Sequence, residues 1–135
     1  MEKYNVATKG MILNNDNKVL ILQRANDDEF KPSIWELPGG NLEKHESEKD
    51  GLKREIMEET GLKIDIINVL DSRSFMKKEK FRLRIITFLC KAKTTNIVLS
   101  YEHKDFAWVD VKTAKKKVEY FDDAFNFYNK IKIYI

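Results

Sequence analysis

One stretch of this sequence carries both a start signal and a stop signal for a helix. Ser47 is followed three residues later by Asp50, a capping-box pattern, and Gly61 stands where a left-handed C-terminal cap ends a helix. These signals predict a helix from about Glu48 to Thr60. The rest of the fold must therefore be arranged around one helix whose two ends are set locally.

Apolar residues alternate with polar ones on both sides of this helix, which is the period of half-buried strands. Between residues 4 and 24, two apolar runs flank the turn-forming segment NNDN and predict a β-hairpin. IWEL, residues 34–37, is predicted as a short extended piece before Pro38. After the helix, KIDIINVL (63–70) and FRLRIITFLCKA (81–92) predict strands, with Ile64, Ile66, Phe81, Leu83 and Ile85 facing inward.

The end of the chain predicts shorter elements. Short strands are expected at 97–99 and 106–109, and one face of a final helix carries Phe121, Phe125, Tyr128 and Ile131. Strands on both sides of a central helix, followed by another helix, indicate a mixed sheet with helices packed on its faces. We expect an α/β or α+β fold in layers, formed by a single domain over residues 1–135.

Composition narrows the class of protein. With 42% hydrophobic and 35% charged residues the chain is globular, and a net charge of +3 excludes neither nucleic acid nor nucleotides as partners. Cys90 is the single cysteine, so no internal disulfide can form, and MEKYNVATKG lacks the apolar core of a signal peptide. No apolar run approaches the roughly 18 residues of a membrane span. These features predict a soluble cytoplasmic protein.

Three carboxylates share one stripe of the predicted helix. Glu55, Glu58 and Glu59 are spaced i, i+3 and i+4 and fall within about 100° of arc, and Gly51 leaves the same face bare one turn earlier. A solvated face, neutralised by nearby Lys and Arg side chains, is one explanation. The other is a hard divalent cation, since clustered carboxylates bind Mg²⁺ or Mn²⁺ and leave positions for water and substrate phosphates.

The spacing of these residues matches a known family pattern: Gly40, five residues, Glu46, seven residues, Arg54-Glu55, Ile56, one residue, Glu58-Glu59, one residue, Gly61-Leu62. Together with the preceding WELPGG, residues 35–40, it resembles a complete Nudix box. The order of the predicted elements is similar to that family's α/β/α sandwich, a mixed sheet with helices on both faces. The resemblance implies hydrolysis of a nucleoside diphosphate linked to another group X, with Mg²⁺ or Mn²⁺ as cofactor.

Carried over by position, the resemblance implies a set of metal ligands: Glu55, Glu58, Glu59 and the carbonyl of Gly39. Arg54 would orient the glutamates, whereas Glu46, which precedes the helix, is expected to brace the loop through a salt bridge. Glu102, within YEHKDFAWVD, is expected to complete the metal site, with an exposed loop acid as the alternative.

Catalysis requires a base that accepts the proton of the attacking water. The carboxylates that the resemblance places near the substrate are the candidates: Glu55, Glu58 and Glu102. The choice among them stays open at this point.

The substrate is predicted by elimination. Sub-signatures associated with ADP-ribose, coenzyme A and dinucleoside polyphosphates are absent. The leading prediction is therefore a MutT-like (deoxy)nucleoside triphosphate pyrophosphohydrolase, which releases NMP and pyrophosphate. An ADP-ribose or nucleotide-sugar pyrophosphatase and a non-catalytic nucleotide sensor are alternatives. The runs KKEK (77–80) and KKK (115–117) keep open a third, an RNA 5′-end hydrolase or RNA-binding protein. The protein is expected to be a monomer or a homodimer.

Substrate contacts are expected from a strand end, a glycine and an aromatic ring. Arg24 ends a predicted strand and would contact phosphate or base, and the backbone of Gly40 allows close approach to an oxygen atom. The ring that stacks on the base is sought among aromatics that could equally be core residues: Phe30, Trp35, Phe75, Phe81 and Trp108. His45 and His103 are expected at the surface.

Overall fold

The computed structural model describes residues 3–27, 32–78 and 81–135. The strands are β1 (Lys3–Leu13), β2 (Val19–Arg24), β3 (Trp35–Glu36), β4 (Gly39–Asn41), β5 (Ile64–Lys78), β6 (Phe81–Ala92) and β7 (His103–Val109). The helices are α1 (Glu48–Thr60), α2 (Val111–Lys117) and α3 (Asp122–Ile131), followed by a 3₁₀ turn at Lys132–Tyr134. No helix in these ranges is long and apolar enough to cross a membrane.

The strands form one mixed sheet in the order β3-β2-β1-β6-β5, in which β4 also pairs with β1 and β7 with β2. Only the β1–β6 pair of these is parallel, and the others are antiparallel. The predicted hairpin is confirmed, because β1 and β2 pair at Leu13 and Val19 across NNDN. Asn14 Oδ1 stabilises the turn by accepting hydrogen bonds from the backbone N–H groups of Asp16 and Lys18.

Apolar side chains cover both faces of the sheet. On one face α1 contributes Leu52 and Ile56, and on the other α2 and α3 contribute Ala114 and Phe125. We call these groups the α1 cluster and the α3 cluster. Helices on both faces confirm the predicted layered α/β sandwich.

The predicted inward-facing set is only partly right. Ile64 is buried, whereas four members are half-buried: Ile66, Phe81, Leu83 and Ile85. The fully buried part of β6 is instead the run 86–90. Helices cover this run on both faces, so burial there does not follow an alternating pattern.

Both predicted caps of α1 are present. Ser47 Oγ accepts a hydrogen bond from the N–H of Asp50 at 3.2 Å, and Gly61 adopts the left-handed conformation at φ 76°. The N–H of Gly61 donates to the carbonyl of Met57. The predicted limits of the helix are therefore confirmed, since residues within the segment itself satisfy its end groups.

The predicted strand at 97–99 is wrong. Val98 donates its N–H to the carbonyl of Thr60 at 2.9 Å, and Ser100 donates to the carbonyl of Glu59 at 3.2 Å. This segment therefore caps the C-terminal end of α1 and has no ladder of its own. The strand predicted at 106–109 is the second half of β7, and the final helix is confirmed as α3.

Two elements differ in extent from their predictions. β5 continues to Lys78, beyond the predicted end at residue 70, and it shifts register against β6 at three places. The end of the strand was predicted from alternating apolar and polar residues, and these irregularities interrupt that alternation. Helix α2 was not predicted; it begins at the side-chain cap of Asp110 and is too short to show a clear period.

Candidate active site

The glycine pair lies where β4 pairs with β1, with Gly39 opposite Lys9 and Gly40 opposite Thr8. Gly39 has a φ of 138°, and a Cβ there would overlap the carbonyl oxygen of Thr8. A Cβ at Gly40 would lie 2.7 Å from the carboxylate of Glu55. Position 39 therefore requires glycine for its backbone, whereas a side chain at position 40 would displace the carboxylate that α1 brings against it.

Arg54 joins three acidic side chains at one point. Its Nε and Nη2 donate to Glu46 at 2.7 and 3.0 Å, and its Nη1 donates to Glu55 at 3.2 Å and Glu58 at 3.1 Å. The hydrogen bonds from Arg54 lower the pKa of Glu46 to about 2, and the bond to Glu46 raises the pKa of Arg54 further above its usual value. The guanidinium thus orients Glu55 and Glu58, and Glu46 braces the guanidinium.

Glu55 and Glu58 differ in their surroundings. Glu55 is half-buried, whereas the side chain of Glu58 is 58% exposed. Burial raises the pKa of Glu55 against the opposing effect of Arg54, and the charges of Glu58 and Glu102 add to the increase. Glu102 lies in the turn before β7, exposed, and its carbonyl accepts a hydrogen bond from Ala25 at 3.0 Å. The negative charge of Glu102 therefore contributes to the raised pKa of Glu55.

Glu59 points inward from the same helix. It is 4% exposed, and its Oε1 accepts the N–H of Gly39 at 2.7 Å. Burial raises its pKa to about 7, although Lys9, the bond from Gly39 and His103 oppose the increase. The predicted acidic stripe is thus divided: Glu55 and Glu58 meet at Arg54, and Glu59 holds the glycine loop.

Sequence reasoning missed a second buried acid, Glu36. Its side chain is 12% exposed and contacts Lys9 Nζ at 3.4 Å. It accepts hydrogen bonds from Arg24 Nε and Nη2, both at 3.1 Å, and lies 2.7 Å from His103 Nε2. Burial alone would raise the pKa of Glu36, but Lys9, His103 and Arg24 hold it well below its usual range. The sequence did contain a signal for the burial of Glu36. Its neighbours Trp35 and Leu37 pack in the α3 cluster, and alternate strand residues face opposite sides, so Glu36 faces the other side of the sheet.

The prediction that His103 lies at the surface is wrong. Its side chain is 2% exposed, with Nε2 against Glu36 and Nδ1 3.8 Å from Glu59 Oε2. Within the described residues Nδ1 has no hydrogen-bond partner. The pairing of β7 with β2 places this side chain in the interior, a contact between distant parts of the chain that its acidic neighbours in sequence do not indicate.

Several of the predicted substrate-binding residues have no described contact with Arg54. Arg24 lies at the end of β2 and is held by Glu36. Trp35 packs against the α3 cluster, with Lys117 Nζ 5.7 Å from its ring centroid, and Trp108 packs against the α1 cluster. Phe81 is half-buried at the start of β6, and Phe30 lies outside the described residues.

A cleft opens on the α3 side of the sheet. Its lining includes Arg73, Phe75, Thr87 and Tyr120. The Arg73 guanidinium lies 5.8 Å from the Phe75 ring centroid and 3.2 Å from Asp71. The cleft therefore presents an aromatic ring beside charged groups, and Phe75 is the aromatic candidate that the structure places there.

The donor atoms at the Arg54 site suit a hard cation. Among the residues that the structure describes, no three His, Cys, Asp or Glu side chains are arranged to share a metal ion. Arg54 occupies the space between Glu55 and Glu58, and Glu59 is bonded to Gly39. The atoms that remain available are carboxylate and carbonyl oxygens, and Gly40 leaves the space beside Glu55 free of side chain. Such a set fits Mg²⁺ or Mn²⁺ and does not fit zinc.

Comparison with known proteins identifies the family of this chain. The family model described as the NUDIX domain matches residues 3–129. The chain therefore belongs to the Nudix family and is a Nudix hydrolase, as its sequence predicted. Enzymes of this family generally use divalent metals and act on small nucleotide substrates.

Individual relatives are similar over most of the chain. A nucleoside triphosphatase NudI from Escherichia fergusonii is 33% identical over 109 residues, which cover 73% of this chain and 77% of that protein. An 8-oxo-dGTP diphosphatase from Buchnera aphidicola is 35% identical over 79 residues, covering 58% and 62%. The structure of a MutT protein from Methanosarcina mazei Go1 has a TM-score of 0.83 and 26% identity, over 97% of this chain and 96% of that one.

Proposed function

We propose that this protein is a Mg²⁺-dependent nucleoside triphosphate pyrophosphohydrolase that releases NMP and pyrophosphate. The observation that carries the proposal is the position of Glu55, which lies against the bare backbone of Gly40 and is joined to Glu58 through Arg54. The names of two similar proteins, a nucleoside triphosphatase and an 8-oxo-dGTP diphosphatase, support a triphosphate substrate. Mn²⁺ is the alternative cofactor.

The chain offers oxygen donors from three elements for the cation: Glu55 and Glu58 of α1, Gly39 of β4 and Glu102 before β7. Glu59 is the remaining candidate, through Oε2, since Oε1 accepts the N–H of Gly39. A divalent cation bound here would neutralise phosphate charge and acidify the attacking water. Arg54 would keep Glu55 and Glu58 oriented during this reaction.

Glu55 is our proposed base. A carboxylate with a raised pKa accepts a proton more readily, and burial raises the pKa of Glu55. Glu58 is more exposed and Glu102 lies in a turn, so both are better suited as ligands. The water oxygen attacks one of the two phosphorus atoms that flank the α–β bridging oxygen and its proton passes to Glu55. The bond between that phosphorus and the bridging oxygen breaks, and NMP and pyrophosphate are released.

We propose that the nucleobase binds across the mouth of the cleft on the α3 side, whose volume of about 20 Å³ is too small to enclose a base. Thr87 of the cleft pairs with Lys9, and Lys9 pairs in turn with Gly39, so three neighbouring strands connect the base site to the metal loop. Two strand spacings amount to about 10 Å along the sheet. Phe75 would stack on the base.

Arg24 would contact phosphate at the edge of the same site. Of the other predicted stacking residues, Phe30 lies outside the described residues, and Trp35, Phe81 and Trp108 are not among those that line the cleft and are not assigned this role. The predicted single domain, cytoplasmic location and monomeric or dimeric state stay predictions.

A turnover panel tests the proposed function. Purified protein with Mg²⁺ is assayed against canonical and oxidised (d)NTPs, ADP-ribose, a nucleotide sugar and triphosphorylated RNA, with product identification and Glu58→Gln alongside. We expect NMP and pyrophosphate from a triphosphate, with turnover lost in the variant. Turnover of ADP-ribose or RNA instead would replace the proposed substrate. Tight nucleotide binding without any turnover would make the protein a sensor.

A further inference from the structure

One carboxylate contacts both members of the last β2–β7 residue pair. Arg24 and His103 are cross-strand partners at the end of this pairing, where the register shifts after Gln23. Glu36, on β3, accepts hydrogen bonds from Arg24 at 3.1 Å and lies 2.7 Å from His103 Nε2. Since an ionised carboxylate only accepts hydrogen bonds, Nε2 carries the proton in this contact. Glu36 thus links three strands where the sheet ends.

Glu102 is the last residue of the turn that leads into β7. Glu102 directly precedes His103, and the described contacts of its main chain are the bond from Ala25 to its carbonyl at 3.0 Å and a 3.4 Å bond from its N–H to Ser100 Oγ. The side chain of Glu102 is exposed. His103 is the first residue of β7, so the position of the Glu102 side chain depends on where the β2–β7 pairing begins.

The burial of Glu36 indicates a geometric role more than a stabilising one. A buried carboxylate with cationic partners contributes little net stability compared with an apolar side chain of similar size, but it fixes the relative positions of its partners. Lys9, Arg24 and His103 come from three different strands, so their shared contact holds those strands at one spacing.

We propose that Glu36 is a positioning residue, which fixes the Arg24–His103 pair and thereby holds in place the turn that carries Glu102. The inference rests on the proposed function of the Glu55 site for its effect on catalysis. Its structural part, that Glu36 determines the position of the turn carrying Glu102, can be measured without any substrate.

Amide hydrogen exchange measures the structural part. In Glu36→Gln the N–H of Ala25, which donates to the carbonyl of Glu102, is expected to exchange at least about tenfold faster. The N–H of Val98, bonded to Thr60 at the end of α1, serves as the internal control and should not change. Unchanged exchange at Ala25 in a folded variant would overturn the proposal, whether or not the protein is active.

A double-mutant cycle on kcat measures the catalytic part. The assay uses saturating substrate, so that a weaker contact between Arg24 and substrate does not affect the measured rate. Under this condition Glu36→Gln is expected to lower kcat about tenfold or more. In a Glu102→Gln background the same change should have little further effect, because residues that act through one another are not additive. Additive losses would show that Glu36 acts independently of Glu102.

Two substitutions of His103 provide a second route if Glu36→Gln does not fold. A glutamine amide reaches the position of Nε2 and can keep the bond to Glu36, whereas an asparagine amide reaches only the position of Nδ1. We expect His103→Gln to retain kcat within about threefold and His103→Asn to lose about tenfold.

Asp65→Asn, an exposed position far from Glu36, is the control. Equal losses in the two His103 variants would contradict the proposal, and an inactive wild type with faster Ala25 exchange in Glu36→Gln would reject only the proposed function.

Discussion

The carboxylate of Glu59 accepts the backbone N–H of Gly39 across a 2.7 Å hydrogen bond inside the protein. This bond joins α1 to the glycine loop through two residues that are 20 positions apart in sequence. It also buries a titratable group beside the proposed metal site. Burial raises the pKa of Glu59 to about 7, so the folded protein should respond to pH in a defined direction.

Without divalent cation, stability should fall as Glu59 ionises. The folded pKa lies above the usual value of 4.5, so the stabilising proton is fully bound below about pH 4.5 and is lost as the pH rises through about 7. We expect wild type to lose on the order of 3 kcal/mol relative to Glu59→Gln across this range. Urea unfolding at several pH values, with chelator present, measures the difference.

The neutral variant keeps an oxygen that can accept the N–H of Gly39, so the comparison isolates ionisation. Glu48→Gln, at an exposed position of the same helix, serves as the control and should follow wild type. Parallel curves for wild type and Glu59→Gln would mean that the buried carboxylate does not titrate in this range.

Glu58→Gln should separate activity from stability. The side chain is nearly isosteric and 58% exposed, so the melting temperature in chelator should change little, while turnover falls by orders of magnitude. Mg²⁺ should raise the melting temperature of wild type more than that of the variant, because a ligand stabilises the state that binds it. Unchanged turnover would remove Glu58 from the mechanism, and equal shifts would make it an ordinary surface acid.

Alanine at the two glycines should have different consequences. At Gly39 the added Cβ would overlap backbone at a φ of 138°, so the variant should be severely destabilised. At Gly40 the Cβ would meet only the side-chain end of Glu55, at 2.7 Å, which can move. We expect Gly40→Ala to remain folded by circular dichroism and to lose activity. A fully active Gly40→Ala would show that the position of Glu55 against this backbone is not required.

Arg54→Gln should destabilise the protein as well as inactivate it. The change leaves Glu46, Glu55 and Glu58 without their shared donor, at a cost of about 1–3 kcal/mol in the free energy of unfolding. Lys53→Gln makes the same charge change at an exposed neighbouring position and should stay within about 0.5 kcal/mol of wild type. Equal effects of the two substitutions on stability would indicate that general charge, not the contacts of Arg54, is responsible.

Features that depend on neighbouring residues were predicted well. The limits of α1 follow from Ser47 and Gly61, and the turn of the first hairpin follows from NNDN, because each is stabilised by hydrogen bonds within its own segment. The Nudix box likewise lies within one stretch of sequence, so the proposed roles of Arg54, Glu55 and Glu58 could be stated in advance.

Features that depend on distant contacts were missed. The segment 97–99 has strand-like composition, yet its N–H groups satisfy the end of a helix that lies about 40 positions earlier in the sequence. His103 and Glu36 are charged or polar in sequence and were not recognised as interior residues. Their burial results from the pairing of β7 with β2 and of β2 with β3.

The capped helix, the layered fold class and the set of oxygen donors follow from local sequence, because spacing along one helix fixes which side chains share a face. How those carboxylates divide depends on the packing of α1 against the strands. Glu58 is exposed and Glu55 is half-buried, both bonded to Arg54, whereas Glu59 is buried at the N–H of Gly39. The physical reason is that burial and pKa depend on what packs against a residue, and these contacts join strands far apart in the chain.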